Sequence, residues 1–282
     1  MKVFAVTVVY EPDSELLLRS VVSYAGWVER VIVWRNSPLP VDLETRLQGA
    51  GPVVLRGDGT NVGISVALNK AWREAAAEGA DALLTMDQDS VWHDFPAYLA
   101  AVTGEKAPEG FFCPAVNPDP APLKSGKPGQ TGIPEQRFLP RLTAFTSGML
   151  IPLQVLDKVG GWCEDFKVDG VDNEFCLHAR YLGVGLYQAG CGSLEHRLGK
   201  VEKKRFLGLA FRVYNYSPER LYGIYRNNLA AIRKYRSVSG PFAQEFRRTW
   251  FWRRPLRILL GEGEKTKKFT AIFRGIRDSR HV

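Results

Sequence analysis

The sequence predicts an α/β fold: a mostly parallel central sheet flanked by helices, followed by a helical, basic C-terminal extension. Three observations predict it. Short apolar runs alternate with amphipathic helical stretches through the first half of the chain. The 282 residues are 45% hydrophobic and 24% charged, which suffices for one large domain and an appendage. The net charge of +8 is unevenly placed, with Arg and Lys crowded into the segment from Phe242 onward.

The elements follow in order. Val3 to Tyr10 is an apolar strand, and Ser14 to Ala25 is helical, with Leu16, Leu17, Val21 and Val22 on one face. Arg30 to Trp34 and Pro52 to Arg56 are the next strands. Ile64, Ala67, Leu68, Ala71, Trp72 and Ala75 recur with helical spacing. The strand Ala82 to Met86 comes next, with His93 assigned to a helical pattern beyond it. Asn117 to Pro134 is rich in Pro, Gly and Lys and reads as a mobile loop, after which strand patterns resume at Phe138. Phe145 to Ile151 is a strand interrupted by Ser147-Gly148. Leu153 to Val159 is a short helix ended by Gly160-Gly161. Val171 to Leu182 is a helix, Gly185 to Ala189 a strand and Pro218 to Tyr235 a long helix. We divide the chain into a domain over 1–240, with halves 1–115 and 116–240, and a basic amphipathic segment over 241–282.

Cys113, Cys163, Cys176 and Cys191 form no CxxC pair and no zinc spacing, so they read as reduced thiols of a cytosolic protein. Tyr10-Glu11-Pro12-Asp13 ends the first apolar run too early for a signal peptide. No apolar run approaches the ~20 residues of a membrane span. The terminal segment interleaves Trp250, Phe251, Trp252, Leu256 and Leu260 with Arg247, Arg248, Arg253, Arg254 and Arg257. Such a mixture fits an anionic membrane surface or a polyanion, or else a solvated tail whose apolar residues pack on the domain.

Asp87-Gln88-Asp89 leaves the end of the Ala82 strand. In parallel sheets, ligands sit outside the carboxyl ends of the strands. That places Tyr10, Asn36, the Asp58–Gly63 loop, Asp87 and Asp89 around one crevice. Two carboxylates there suit a divalent cation, Mn²⁺ or Mg²⁺, that keeps open positions for the oxygens of a nucleotide diphosphate.

Other motifs stand in a fixed order around this triplet: Thr7-Val8-Val9-Tyr10, Asn36-Ser37, Asn61-Val62-Gly63-Ile64, then Thr146-Ser147-Gly148-Met149, Gly170-Val171-Asp172-Asn173-Glu174-Phe175-Cys176-Leu177 and Glu195-His196-Arg197-Leu198-Gly199. The succession resembles the family 2 glycosyltransferases, and most of all their bacterial rhamnosyltransferase-like branch, over roughly Met1 to Tyr235. The resemblance implies a GT-A fold and inverting transfer of a sugar from a nucleotide diphosphate, UDP or dTDP, to a hydroxyl of a glycan or lipid-linked acceptor. dTDP-L-rhamnose is its leading donor; the basic, aromatic terminus and the reduced thiols make the inner face of the plasma membrane the expected place.

The resemblance also implies roles. Asp89 is a metal ligand, and His196 completes the site, with His93 a competitor. Asp87 touches the ribose, or the metal through water. Asp172 is the general base, a role compatible with an N-cap, and Glu174 is the next candidate. Thr7, Val9 and Tyr10, partly through backbone atoms, line the nucleoside with Asn36, Asn61 and Gly63, while Ser147, Gly148 and Glu174 belong to the acceptor subsite. Two departures bear on the nucleobase: Glu11 stands where Asn is usual, and Arg35 where Asp is usual. A sugar nucleotidyltransferase is disfavoured by the absence of a Gly-rich basic loop after the first strand. A non-catalytic nucleic-acid binder is disfavoured because the basic excess is terminal.

Overall fold

The computed structural model describes residues 1–119, 138–197, 202–206 and 209–282. The Pro- and Gly-rich stretch from Pro120 to Pro134, expected to be a mobile loop, lies outside them, as does the Leu198-Gly199 end of the histidine motif. The described elements run β1 (Val3–Val9), α1 (Ser14–Ala25), β2 (Arg30–Arg35), α2 (Val41–Gln48), β3 (Val53–Arg56), α3 (Ile64–Ala77), β4 (Ala82–Asp87), β5 (Ser90–His93) and α4 (Phe95–Thr103). They continue with β6 (Phe111–Asp119), β7 (Phe138–Arg141), β8 (Met149–Pro152), α5 (Leu153–Val159), α6 (Val171–Tyr181), β9 (Leu186–Arg197), β10 (Glu202–Phe206) and β11 (Leu209–Val213). The last are α7 (Pro218–Lys234), α8 (Gly240–Phe246), a π-helical stretch (Arg247–Arg253), α9 (Arg254–Gly261) and α10 (Lys265–Asp278).

The main sheet has the order β3-β2-β1-β4-β8-β6-β9-β5, with β7 also on β9. Pairing is parallel from β3 to β4. Beyond β4 it is mixed, since β8 runs antiparallel to both β4 and β6. The expected parallel character therefore belongs to the first half, where helices cross between successive strands.

Alternation along β1 sets the two core layers. Phe4 and Val6 face α3, α5 and α6, while Val3, Ala5 and Val9 face α1 and α4. Asp13 caps α1, its Oδ1 accepting from Leu16 N at 3.0 Å. Leu16, Leu17 and Val21 of α1 are buried as expected, whereas Val22 is 57% exposed. His93 ends β5 instead of lying in a helix, and its Nε2 is 3.3 Å from Glu195 Oε2. The strand placed at Gly185 to Ala189 runs on to Arg197, bending at a register shift between its pairings with Cys113 and Ala115 of β6.

The segment 241–282 is not a free tail. α10 lies along α7, and Leu221, Tyr225, Ile258 and Ile272 form a small core between the last helices. Trp250 stacks on Tyr216, their ring centroids 6.2 Å apart. Among the apolar side chains left outside are Trp252, Leu256, Leu259 and Leu260, exposed by 76%, 55%, 52% and 39%, and, on α10, Phe273. No described helix is long and apolar enough to cross a membrane.

Candidate active site

β4 ends on Asp87, Gln88-Asp89 turns the chain, and β5 starts at Ser90. β5 pairs with β9 in the register Ser90↔His196, which carries the imidazole over the turn. His196 Nδ1 lies 3.8 Å from Asp87 Oδ2 and 3.9 Å from Asp89 Oδ1. One ligand atom from each of the three side chains falls within a 4.8 Å cluster. Two hard carboxylate oxygens and one borderline imidazole fit a divalent cation. Ser90 Oγ sits 2.8 Å from the same Nδ1 and orients the ring. Burial pushes the Asp87 carboxyl up to about 6; the His196 side chain works against this, and the Asp89 charge adds to it.

The support behind Asp87 is built from residues expected at the acceptor. Ser147, 1% exposed, accepts from Asp87 N at 3.0 Å through its Oγ. Gly148 donates its N–H to Thr85 O at 2.7 Å, and its carbonyl accepts from Tyr98 OH at 3.0 Å. With φ at +83° and Pro114 Cγ only 2.6 Å from where a Cβ would stand, this position requires glycine. The structure thus makes Ser147 and Gly148 braces of the carboxylate turn.

Asp172 lies in the first turn of α6. The cap of that helix is Gly170, not Asp172, and the chain approaches it through Asp169 at φ +53°. Burial pushes the Asp172 carboxyl up to about 6; the Asn173 N–H, 2.8 Å from its Oδ1, opposes this, and the charges of Asp87 and Asp169 add to the rise. The charge of Asp87, one member of the metal cluster, therefore reaches Asp172. A carboxylate so destabilised is a better proton acceptor near neutral pH.

α7 clamps the turn that carries Asp172. Asn227, 3% exposed, donates its Nδ2 to Val168 O at 3.0 Å and to Asp169 O at 2.8 Å. Asn228 Oδ1 accepts from Asn173 Nδ2 at 2.9 Å, and Arg220 Nε donates to Asp169 Oδ1 at 3.0 Å. Sequence reading passed over these residues. Their one signal was Asn227-Asn228 in mid-helix, where such side chains are weak helix formers. Glu174 points the other way. It is 2% exposed and accepts from Tyr235 OH at 2.6 Å in the α6–α7 contact, so the acceptor role expected for it has no access to the crevice.

On the nucleoside side, Tyr10 is half exposed at the end of β1. Gln88, given no role in the sequence, holds it there: Tyr10 N donates to Gln88 Oε1 at 2.8 Å and Gln88 Nε2 donates to Tyr10 O at 3.1 Å. Thr7 and Val9 were expected beside the base. Strand alternation turns both side chains into the α1 layer, where Thr7 Oγ1 meets Tyr24 OH at 2.6 Å, so only the backbone part of that expectation is open to them. Asn36 is 3% exposed and engages its amide with Val62 N and Gly63 O, each at 3.3 Å, so it shapes the Asn61–Gly63 loop. Asn61 Oδ1 accepts from Gly63 N at 3.0 Å in the same loop. Arg35 is turned away, pairing with Glu44 at 2.6 Å.

No family model and no curated protein matches the chain. Solved structures do match in fold. S. aureus TarS, residues 1–349, is 13% identical, with a TM-score of 0.62 over 99% of this chain and 81% of that one. Its complex with UDP-GlcNAc gives 0.63 at 13% identity, over 99% of this chain and 82% of that one. GalNAc-T7 with UDP, GalNAc and Mn²⁺ is 12% identical, with a TM-score of 0.56 over 83% of this chain and 49% of that one. The fold is thus the GT-A fold, a central sheet flanked by helices with a helical C-terminal extension.

Proposed function

We propose that the protein is an inverting, metal-dependent glycosyltransferase of the rhamnosyltransferase-like type. It moves a sugar from a nucleotide diphosphate to a hydroxyl of a glycan or lipid-linked acceptor in surface polysaccharide synthesis. One observation carries the reading: the Asp87, Asp89 and His196 cluster stands at the strand ends of a GT-A sheet, and Asp172, in the first turn of α6, lies within reach of the Asp87 charge. Folds of this kind hold UDP-GlcNAc in TarS, and UDP with Mn²⁺ in GalNAc-T7.

Asp89, His196 and Asp87 would hold Mn²⁺ or Mg²⁺, which offsets charge on the leaving diphosphate. Tyr10 and the Asn61–Gly63 loop flank the nucleoside. Asp172 takes the proton of the acceptor hydroxyl as its oxygen attacks the anomeric carbon from the face opposite the diphosphate. The sugar–phosphate bond breaks with its electron pair going to the diphosphate, and the configuration inverts. dTDP-L-rhamnose is the donor we favour, with UDP-sugars the alternative.

The enzyme works from the cytosol at the inner face of the plasma membrane. Trp252, Leu256, Leu259 and Leu260 enter the anionic surface, and Arg253 and Arg257 flank them. A screen of donor hydrolysis over dTDP-, UDP- and GDP-sugars, with Asp89→Ala beside the wild type, tests the assignment. We expect metal-dependent turnover of one donor class and none in the variant. Turnover independent of Asp89, or of metal, refutes it.

A further inference from the structure

We propose that Arg220 and Arg257, with Tyr214 and Tyr216 between them, form a subsite for a phosphate or diphosphate ester carried by the acceptor. The inference rests on the reading above and names a chemical class for the acceptor.

The cluster is continuous. Arg220 Cζ lies 4.9 Å from the Tyr216 ring centroid, and Arg254 Cζ lies 4.6 Å from it. Tyr214 is 5.7 Å from Tyr216, and Arg257 Cζ is 5.8 Å from Tyr214. Beneath the two rings the charge does not balance. Arg254 and Lys268, 3% and 4% exposed, share the single buried carboxylate of Glu262. Arg254 Nη2 donates to it at 3.2 Å and Lys268 Nζ at 2.7 Å. Arg254 Nε and Nη1 are buried with no hydrogen-bond partner. Two cations against one anion leave a net positive charge in a poorly screened interior, which favours an anion at the surface above it.

The surface guanidinium groups keep N–H donors for that anion. Arg220 uses Nε on Asp169, and among the described residues its Nη1 and Nη2 have no acceptor, with the side chain 53% exposed. Arg257 has no ion-pair partner among the described residues. Guanidinium groups bind phosphate oxygens through paired N–H donors, and a diphosphate can meet two of them.

Position gives the anion its meaning. Arg220 Nε is 3.0 Å from Asp169 Oδ1, and Asp169 leads directly into the α6 turn that carries Asp172. Arg257 sits on α9 between Leu256 and the exposed Leu259 and Leu260. An amphiphile whose phosphate rests on this cluster would direct its glycan hydroxyl toward Asp172 and its apolar chain toward the α9 face.

Calorimetry with inorganic pyrophosphate, in EDTA and without any sugar nucleotide, reads the subsite directly. We expect the wild type and Asp89→Ala to bind alike, and Arg220→Gln combined with Arg257→Gln to bind at least tenfold more weakly. Arg257→Gln alone, which leaves the Asp169 contact intact, should weaken binding too. Equal binding by the double variant overturns the proposal, and so does loss of binding in Asp89→Ala, which would place the probe in the donor site. Sedimentation with phosphatidylcholine–phosphatidylglycerol vesicles separates the other source of phosphate. A double variant that binds pyrophosphate normally but no longer sediments marks a lipid-headgroup surface and also overturns it. No glycosyl transfer is measured, so a negative result here leaves the transferase reading standing. A failed donor screen, conversely, would not erase pyrophosphate binding.

Discussion

Asp172→Asn should cripple turnover while making the metal-free protein more stable. The side chain's carboxyl is pushed from 3.8 up to about 6 by burial, with Asp87 and Asp169 adding to it. The folded state therefore holds this proton more tightly than the unfolded chain does. Stability from this group is present in acid and is lost as pH rises through the window from 3.8 to about 6. At neutral pH the ionised form costs about 3 kcal/mol at face value, since each tenfold change in an acid's ionisation constant is worth about 1.4 kcal/mol. Partial exposure reduces this to about 1–2 kcal/mol. An amide keeps the shape, carries no charge, and can still accept from Asn173 N–H. In EDTA, scanning calorimetry should show Tm raised by roughly 2–8 °C, at about 2–4 °C per kcal/mol for a chain of this size. A bound cation would weaken the Asp87 contribution and shrink the gain. The amide cannot take a proton, so kcat should fall about 10²–10⁴-fold with donor affinity unchanged. In the wild type, kcat/KM should drop below about pH 6 as Asp172 protonates, and this limb should vanish from the residual rate of the variant. A variant that loses stability and activity together would mark Asp172 as structural. Near-wild-type transfer would exclude it as the base.

Two further substitutions test the surroundings. Asn227→Ala removes the bonds to Val168 O and Asp169 O, each unsatisfied carbonyl costing about 1–3 kcal/mol; we expect kcat to fall at least tenfold with donor KM unchanged and the acid limb displaced, whereas a purely structural role would lower Tm and active fraction without moving the pH profile. Trp252→Ser with Leu260→Ser should abolish salt-sensitive sedimentation with anionic vesicles at unchanged Tm, because both side chains are exposed, and undiminished sedimentation would refute membrane docking through α9.

The first half of the fold was legible because its cues are local. An apolar run such as Val3–Val9 or Ala82–Asp87, buried on both faces, is continuous in sequence, and α3 announces itself by its period. What the sequence concealed depends on distant partners. α2 buries only Leu43 and Leu47, too thin a stripe to signal a helix. β5 is four residues long and exists through its pairing with β9, so His93 looked helical until its register partner Ser193 was known. The C-terminal segment offered aromatic and basic residues in one list, without showing that Trp250 faces inward while Trp252 faces out.

The site divides in the same way. The Asp87 and Asp89 pair drew notice by its place at a strand end, and Asp172 drew its expected role from the resemblance of its motif; the structure puts Asp87 at the end of β4 and Asp172 in the first turn of α6. The residues that hold those carboxylates in place come from far along the chain. Ser147 reaches Asp87 across 60 positions, and Asn227 reaches Asp169 across 58. Their side chains are of ordinary type, and only the fold tells a brace from a ligand. This also explains why Ser147, Gly148 and Glu174 drew an acceptor role from their motifs. They neighbour the candidate carboxylates in sequence, yet their hydrogen bonds run to the backbone of β4 and to Tyr235. A motif therefore marks the stretch of chain that builds a site, and the direction of each side chain decides which of its residues meet the substrate.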